Sequence, residues 1–295
     1  MRRFSGVVPA LAVPFRGCEV DFDMLSEHVE RLLRAGVDGF FVVSTTGLGH
    51  AMGIRSKVEL VRFVTERRGS AFVIVNVSSI EFEEIRELVR ASERFGADAV
   101  SSNVMYYFRV DEEAALRFFV KVSSLTELPF FVYNIPQTTG YNVDPGLVRR
   151  LRSEAENLAG VKDSSANIPQ IADLATIEGL RVFNGADETT LPALLAGASG
   201  YVSALANAFP ELFVGLYRAY REGDLGRAVD LYRRVLGLSA DLRGVPLNHA
   251  VYGLLTAVYG REFPLMEHFR SLRREEVERV SRALERYRRG VLQSG

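Results

Sequence analysis

Short runs of apolar residues, many of them β-branched or aromatic, recur eight times in the first two thirds of the chain, at residues 6–14, 39–44, 72–78, 97–103, 129–135, 158–164, 180–186 and 200–206. They show almost no apolar–polar alternation. A strand of that kind is buried on both faces, the habit of a parallel sheet covered by helices. Between the runs lie amphipathic stretches, such as 23–35, 55–68, 81–95 and 111–125, with apolar residues at helical spacing and acidic residues near several of their starts. The pattern is strand then helix, repeated. Eight such units in the first 220 or so residues predict an α/β fold of the closed (β/α)8 barrel type, a TIM barrel, rather than an open doubly wound sheet. No glycine-rich dinucleotide fingerprint follows the first run, where Val13-Pro14-Phe15-Arg16-Gly17 stands instead.

Beyond Phe209 the spacing is purely helical, over residues 210–221, 225–236, 246–259 and 274–289. These helices exceed what one barrel repeat requires. They divide the chain into a barrel domain, 1–222, and a C-terminal helical appendage, 223–295, expected to cover one flank or build a subunit contact. Residues 191–210 are apolar enough to suggest a membrane span, yet Gly197, Ser199, Gly200, Ser203, Asn207 and two prolines make them a poor spanning helix. They read as a buried helix followed by a buried strand. Arg2 and Arg3 precede too short an apolar stretch, interrupted by Pro9, for a signal peptide.

Composition narrows the function. With 295 residues, 47% hydrophobic and 25% charged, the chain can bury an ample core. A net charge of -1 removes the basic footprint of a protein that reads nucleic-acid backbones. The single cysteine, Cys18, excludes an intrachain disulfide, and His28, His50, His249 and His268 show no zinc-ligand spacing. A cytoplasmic protein without nucleic-acid or membrane partners is expected. Three lysines stand against 33 arginines, a bias shared by thermophiles and by genomes of suitable base composition.

In a barrel of this kind, chemistry is built on the C-terminal ends of the strands. Those ends read Ser44-Thr45-Thr46-Gly47, Tyr106-Tyr107, Tyr133-Asn134, Lys162-Asp163-Ser164, Asn184-Gly185-Ala186-Asp187 and Ser203. Lys162 is conspicuous in a chain that otherwise uses arginine. Burial in an apolar strand would lower its pKa and leave a neutral amine able to form a Schiff base, which an arginine cannot do; the alternative is a lysine paired with Asp163 or another rim carboxylate. Tyr133, one strand away, is either a proton shuttle or an aromatic packed at a strand end. Thr45, Thr46 and the Gly47 amide suit a small carboxylate, or form a strand-ending turn. Tyr106 and Tyr107 are equally readable as interface aromatics.

At these residues the chain resembles the family of pyruvate-dependent class I aldolases that includes N-acetylneuraminate lyase and dihydrodipicolinate synthase. The resemblance runs from Pro9-Ala10-Leu11-Ala12-Val13-Pro14-Phe15 through Thr45-Thr46-Gly47, Tyr133-Asn134-Ile135-Pro136 and Gly160-Val161-Lys162-Asp163 to Gly200-Tyr201-Val202-Ser203. It implies that Lys162 is the Schiff-base lysine, Tyr133 the proton shuttle, and Thr46 a catalytic hydroxyl that also binds the pyruvate carboxylate with Thr45 and Gly47. Val202 would line the pyruvate pocket, and Tyr107 would complete a hydroxyl relay across a subunit interface in a homotetramer built from dimers. No metal or cofactor is implied. Thr46-Gly47-Leu48-Gly49 is similar to the archaeal 2-keto-3-deoxygluconate aldolases, where the lyases and synthases commonly carry Glu in place of Leu48. Thr138 stands where the synthases usually place an arginine for their second substrate's carboxylate. The expected reaction is reversible cleavage of a 2-keto-3-deoxy sugar acid, or its phosphate, to pyruvate and an aldehyde. Arg109 is the first candidate for a phosphate anchor and Arg243 the second, each otherwise a surface ion pair. Dihydrodipicolinate synthase and an inactive keto-acid-binding regulator are the rival readings. Ser44, where the family usually has Gly, and Phe108-Arg109, which lacks a proline, depart from the pattern.

Overall fold

All eight apolar runs are strands in a computed structural model that describes residues 4–292. In chain order the strands are β1 (Gly6–Pro9), β2 (Phe15–Arg16), β3 (Glu19–Val20), β4 (Gly39–Val42), β5 (Phe72–Asn76), β6 (Ala99–Ser102), β7 (Phe130–Asn134), β8 (Leu158–Asp163), β9 (Arg181–Asn184) and β10 (Gly200–Ser203). β2 and β3 form a small antiparallel hairpin. The other eight make one parallel sheet in the order β1-β10-β9-β8-β7-β6-β5-β4. Its two edges meet through a bridge between Ala10 and Phe41, where the Leu11 N–H donates to the Phe41 carbonyl at 3.0 Å. The sheet is thus a barrel, with helices between successive strands. The first run was expected to extend to residue 14, but its strand stops at Pro9 and the chain turns into the hairpin, which the periodicity did not reveal.

Two apolar layers explain why the strands do not alternate. Outward side chains join the large core between sheet and helices, while Val8, Phe41, Ile74, Phe131, Phe183 and Val202 pack together inside the barrel. Phe4 closes the lower end, edge-on to Phe72 and Phe131 with ring centroids 5.2 and 5.1 Å away. Polar residues at the helix-to-strand joints add ties. Asp38 accepts the Val7 N–H and Asp98 the Val73 N–H, each at 2.8 Å, so each acid fixes the start of a neighbouring strand.

The helices start where the sequence supplies caps. Asp21, Asp111, Asp144, Asn167 and Asp224 each accept an N–H of the following first turn, and Pro136, Pro145 and Pro210 open their helices, where a missing N–H costs nothing. Beyond the barrel, helices Pro210–Glu222, Leu225–Leu242, Leu247–Tyr259 and Arg274–Leu292 follow. The second runs six residues past its expected end at 236, and Arg286 of the last helix bonds Asp241 near its C-terminus at 2.6 Å. Among the described residues no helix is long and apolar enough to cross a membrane.

Gly160 shows how tightly the barrel is drawn. A Cβ there would lie 2.3 Å from the Arg181 carbonyl oxygen and 2.3 Å from the Phe131 ring. Gly160→Ala is therefore expected to lower stability by about 3 kcal/mol, at the upper end of ordinary overpacking because backbone lies on one side. Urea unfolding of the two proteins measures the difference.

Candidate active site

The Ser-Thr-Thr-Gly segment leaves β4 through a forced turn. Val43 has φ 57°, a left-handed conformation that is costly for a β-branched residue, and Leu48 has φ 58°. Neighbouring groups hold it there. Asn76 Nδ2 donates to the Val43 carbonyl at 3.1 Å, and the Gly49 N–H donates to the Ser44 carbonyl at 2.9 Å. Ser44 accounts for its own departure from the family pattern: its hydroxyl donates to the Leu11 carbonyl at 3.1 Å and accepts the Gly47 N–H at 3.0 Å. The Gly47 amide is thereby occupied, and the hydroxyls of Thr45 and Thr46 are left to face the barrel mouth.

β7 and β8 bring the phenol and amine together. Tyr133 and Lys162 are register partners, 3% and 4% exposed. Lys162 Nζ lies 3.8 Å from the Tyr133 ring centroid and 4.1 Å from that of Phe41. Tyr133 Oη is 3.5 Å from Thr45 Oγ1, so amine, phenol and threonine hydroxyl form a short row. Burial holds the Lys162 amine below the ordinary lysine range, against the opposing pull of the Tyr133 hydroxyl and the Asp187 carboxylate. Lys162 makes no ion pair with Asp163, whose side chain lies on the opposite face of β8 among neutral donors. Pairing with Asp163 fails on that geometry, and the rim carboxylate that acts on Lys162 is Asp187, across the cavity.

A cavity of about 950 Å3 opens above Lys162. Tyr133, Thr45, Thr46 and Val202 line its inner part together with Lys162, as the sequence led one to expect. Gly47, Tyr107 and Arg109 do not line it; Tyr107 is 88% exposed, with φ 78°, on the loop after β6. Arg243 does. So do residues to which sequence reasoning gave no role: Gln137, Ser164, Asp187, Glu188, Ser239 and Asn248. Asn248 Nδ2 donates to the Thr45 carbonyl at 3.0 Å, tying the first turn of helix Leu247–Tyr259 to the threonine loop. No local signal marks such an asparagine, because only the tertiary fold brings residue 248 to residue 45. Asp187 was visible at a strand end but not its setting. Burial pushes its carboxyl up to about 6, against hydrogen bonds from Ser203 and from the Leu205 N–H at 3.1 Å.

The Dihydrodipicolinate synthetase family matches this chain over residues 3–280. The chain belongs to that family. Within it, the 4-hydroxy-tetrahydrodipicolinate synthase of Methanocaldococcus jannaschii is 34% identical over 236 residues, 80% of this chain and 82% of that protein. The 2-dehydro-3-deoxy-D-gluconate/2-dehydro-3-deoxy-phosphogluconate aldolase of Thermoproteus tenax is 32% identical over 258 residues, 87% and 82% of the two chains. The solved 4-hydroxy-tetrahydrodipicolinate synthase of Methylacidiphilum fumariolicum SolV superposes with a TM-score of 0.90 at 27% identity, covering 98% of both chains. This family membership makes the protein an enzyme of the carbon–carbon lyase class and confirms the barrel with its added C-terminal helices.

The raised Asp187 carboxyl has a consequence for stability. A folded-state value of about 6 against an unfolded value near 3.8 means that the folded protein holds this proton more tightly. Its contribution to stability is complete below about pH 4 and is lost as the pH rises through 6. Asp187→Asn, which keeps an acceptor for the Leu205 N–H, is expected to raise the melting temperature at pH 8 and leave it nearly unchanged at pH 4. Calorimetry at the two pH values measures this.

Proposed function

We propose that the protein is a Schiff-base aldolase that reversibly cleaves 2-keto-3-deoxygluconate, its 6-phosphate, or both, to pyruvate and glyceraldehyde or glyceraldehyde 3-phosphate. The observation that carries the reading is a desolvated lysine amine packed against a tyrosine ring at the floor of a cavity whose walls set hydroxyls, amides, carboxylates and one guanidinium among apolar side chains. The polar groups among them, Gln137, Thr138, Ser164, Ser239 and Asn248, suit the hydroxyls of a sugar acid. Thr138 lines the cavity where a second-substrate carboxylate would want an arginine, and Asp187 and Glu188 disfavour a further anion on their side.

In the cleavage direction the neutral Lys162 amine attacks the C2 carbonyl, and loss of water gives an iminium. Tyr133 takes the proton of the C4 hydroxyl as the C3–C4 bond breaks; the bonding electrons flow into the iminium, leaving an enamine and the free aldehyde. The enamine is protonated at C3, and hydrolysis returns pyruvate and Lys162. Thr45 is within reach of the Tyr133 hydroxyl and relays its proton, while Thr46 holds the pyruvate carboxylate and Val202 packs against the methyl end. For the phosphate we assign Arg243, which stands in the cavity wall, ahead of Arg109, which stands outside it. This reverses the order read from the sequence.

Tyr107, Phe108 and Ile80 are 88%, 59% and 55% exposed. We infer that this apolar corner beside the mouth is covered by a second subunit in a tetramer of paired dimers. Sedimentation velocity reads the assembly. The second functional reading, condensation of pyruvate with aspartate semialdehyde, is favoured by the name of the Methanocaldococcus jannaschii relative.

Borohydride added with pyruvate is expected to leave a reduced adduct on the peptide carrying Lys162, and none in Lys162→Arg; an unmodified Lys162 removes the mechanism. Tyr133→Phe should lower kcat by about 10²- to 10⁴-fold, the ordinary worth of a positioned acid–base group. In a pyruvate-release assay across phosphorylated and unphosphorylated 2-keto-3-deoxy sugar acids, turnover is expected, and Arg243→Ala should raise KM for the phosphorylated one alone. Faster condensation with aspartate semialdehyde would assign the synthase reaction instead.

A further inference from the structure

The register of the barrel places two polar residues directly behind the reacting pair. Tyr133 lies opposite Lys162, and the next residues along, Asn134 and Asp163, are partners in their turn. Side chains alternate across a strand, so these two face away from the cavity, toward the helices outside the barrel. They are 1% and 0% exposed. A carboxylate so deeply buried is costly unless its acceptor sites are used.

Four neutral donors meet Asp163. Its Oδ1 accepts the Ser165 N–H at 2.7 Å and the Ser165 hydroxyl at 2.5 Å; its Oδ2 accepts Asn134 Nδ2 at 3.2 Å and Gln170 Nε2 at 2.5 Å. Asn142 closes a ring. Asn134 Nδ2 donates to Asn142 Oδ1 and Asn142 Nδ2 to Gln170 Oε1, both at 2.8 Å, while Asn134 Oδ1 accepts the Val143 N–H at 2.9 Å. The ring sits where the backbone ladder needs help. Pairing of β7 with β8 is irregular at its start, passing from Phe130 opposite Leu158 to Phe131 opposite Gly160, and Asn134 and Asp163 are the last residues of their strands. A slip of one residue would turn Lys162 out of the cavity.

We propose that Asp163 and Asn134, held by Gln170 and Asn142, are positioning residues for the aldol chemistry. They lock the ends of β7 and β8 so that the Tyr133 phenol stays over the Lys162 amine. The proposal rests on the Schiff-base reading of Lys162 and adds to it a set of residues that never touch substrate.

The test uses the full chain. Asp163→Asn presents a donor where Asn134 and Gln170 already donate, so the ring cannot close as built. The exchange Asn134→Asp with Asp163→Asn lets it close in the opposite sense, the amides of Asn142 and Gln170 flipping to match. D163N is expected to slow borohydride-trapped adduct formation with pyruvate, and kcat, by about 10²-fold with KM changed far less, the usual cost of a small misplacement of reacting groups. The exchange should recover most of that loss, and N134D alone should not. Adduct formation and kcat that stay at wild-type levels in D163N, whatever its melting temperature, overturn the proposal; so does an exchange variant no faster than N134D. Should D163N fail to fold, Gln170→Met, which withdraws one donor and keeps the bulk, is judged by the same kcat criterion. A wild-type chain that forms no adduct overturns the Schiff-base reading and this one together, whereas an adduct in the wild type with an indifferent D163N overturns this one alone.

Discussion

Everything in this site depends on keeping an amine dry. Lys162 is surrounded by the rings of Phe41 and Tyr133, and its burial is the first cause of its lowered basicity. The barrel supplies that dryness twice over, by filling its interior with aromatic and branched side chains and by pressing helices against every strand. On the proposed reaction, the packing that makes the fold also makes the nucleophile, by lowering the basicity of its amine. Catalysis and stability would then share one core, and substitutions that loosen the barrel interior would also return water to the amine.

Much of this was legible in the residues. Eight unalternating apolar runs are what a parallel barrel buried on both faces requires, and each became a strand. Lys162 was marked by chemistry rather than by pattern, since a chain that spends arginine freely had placed a lysine inside an apolar run. Its pairing with Tyr133 followed once the strands were ordered, because consecutive parallel strands carry their ends to the same side. What escaped notice was whatever depends on contact between distant segments. Asn248 approaches Thr45 across 203 residues, and the Asp163 ring draws on two strands, a loop and a helix. Local spacing holds no record of such meetings.

The C-terminal helices show a different kind of gap. Their amphipathic spacing announced helices correctly but said nothing of which side they would cover. Leu236, Ser239, Ala240 and Arg243 stand in the cavity wall, so the segment first read as an appendage supplies part of the mouth. Ser44 is the converse case, a residue that looked anomalous against its relatives and whose hydroxyl proves to brace the turn on which Thr45 and Thr46 stand.

The aromatic floor formed by Phe4, Phe72 and Phe131 fills the end of the barrel opposite the cavity. A substrate tethered covalently to Lys162 would leave last. In the proposed cleavage the aldehyde, lying nearer the exit, would depart before the keto acid freed by hydrolysis, and in the reverse direction the keto acid would enter first. On that reading, the kinetic order of the two half-reactions would follow from an architecture closed below by a plug of phenyl rings that takes no part in the chemistry.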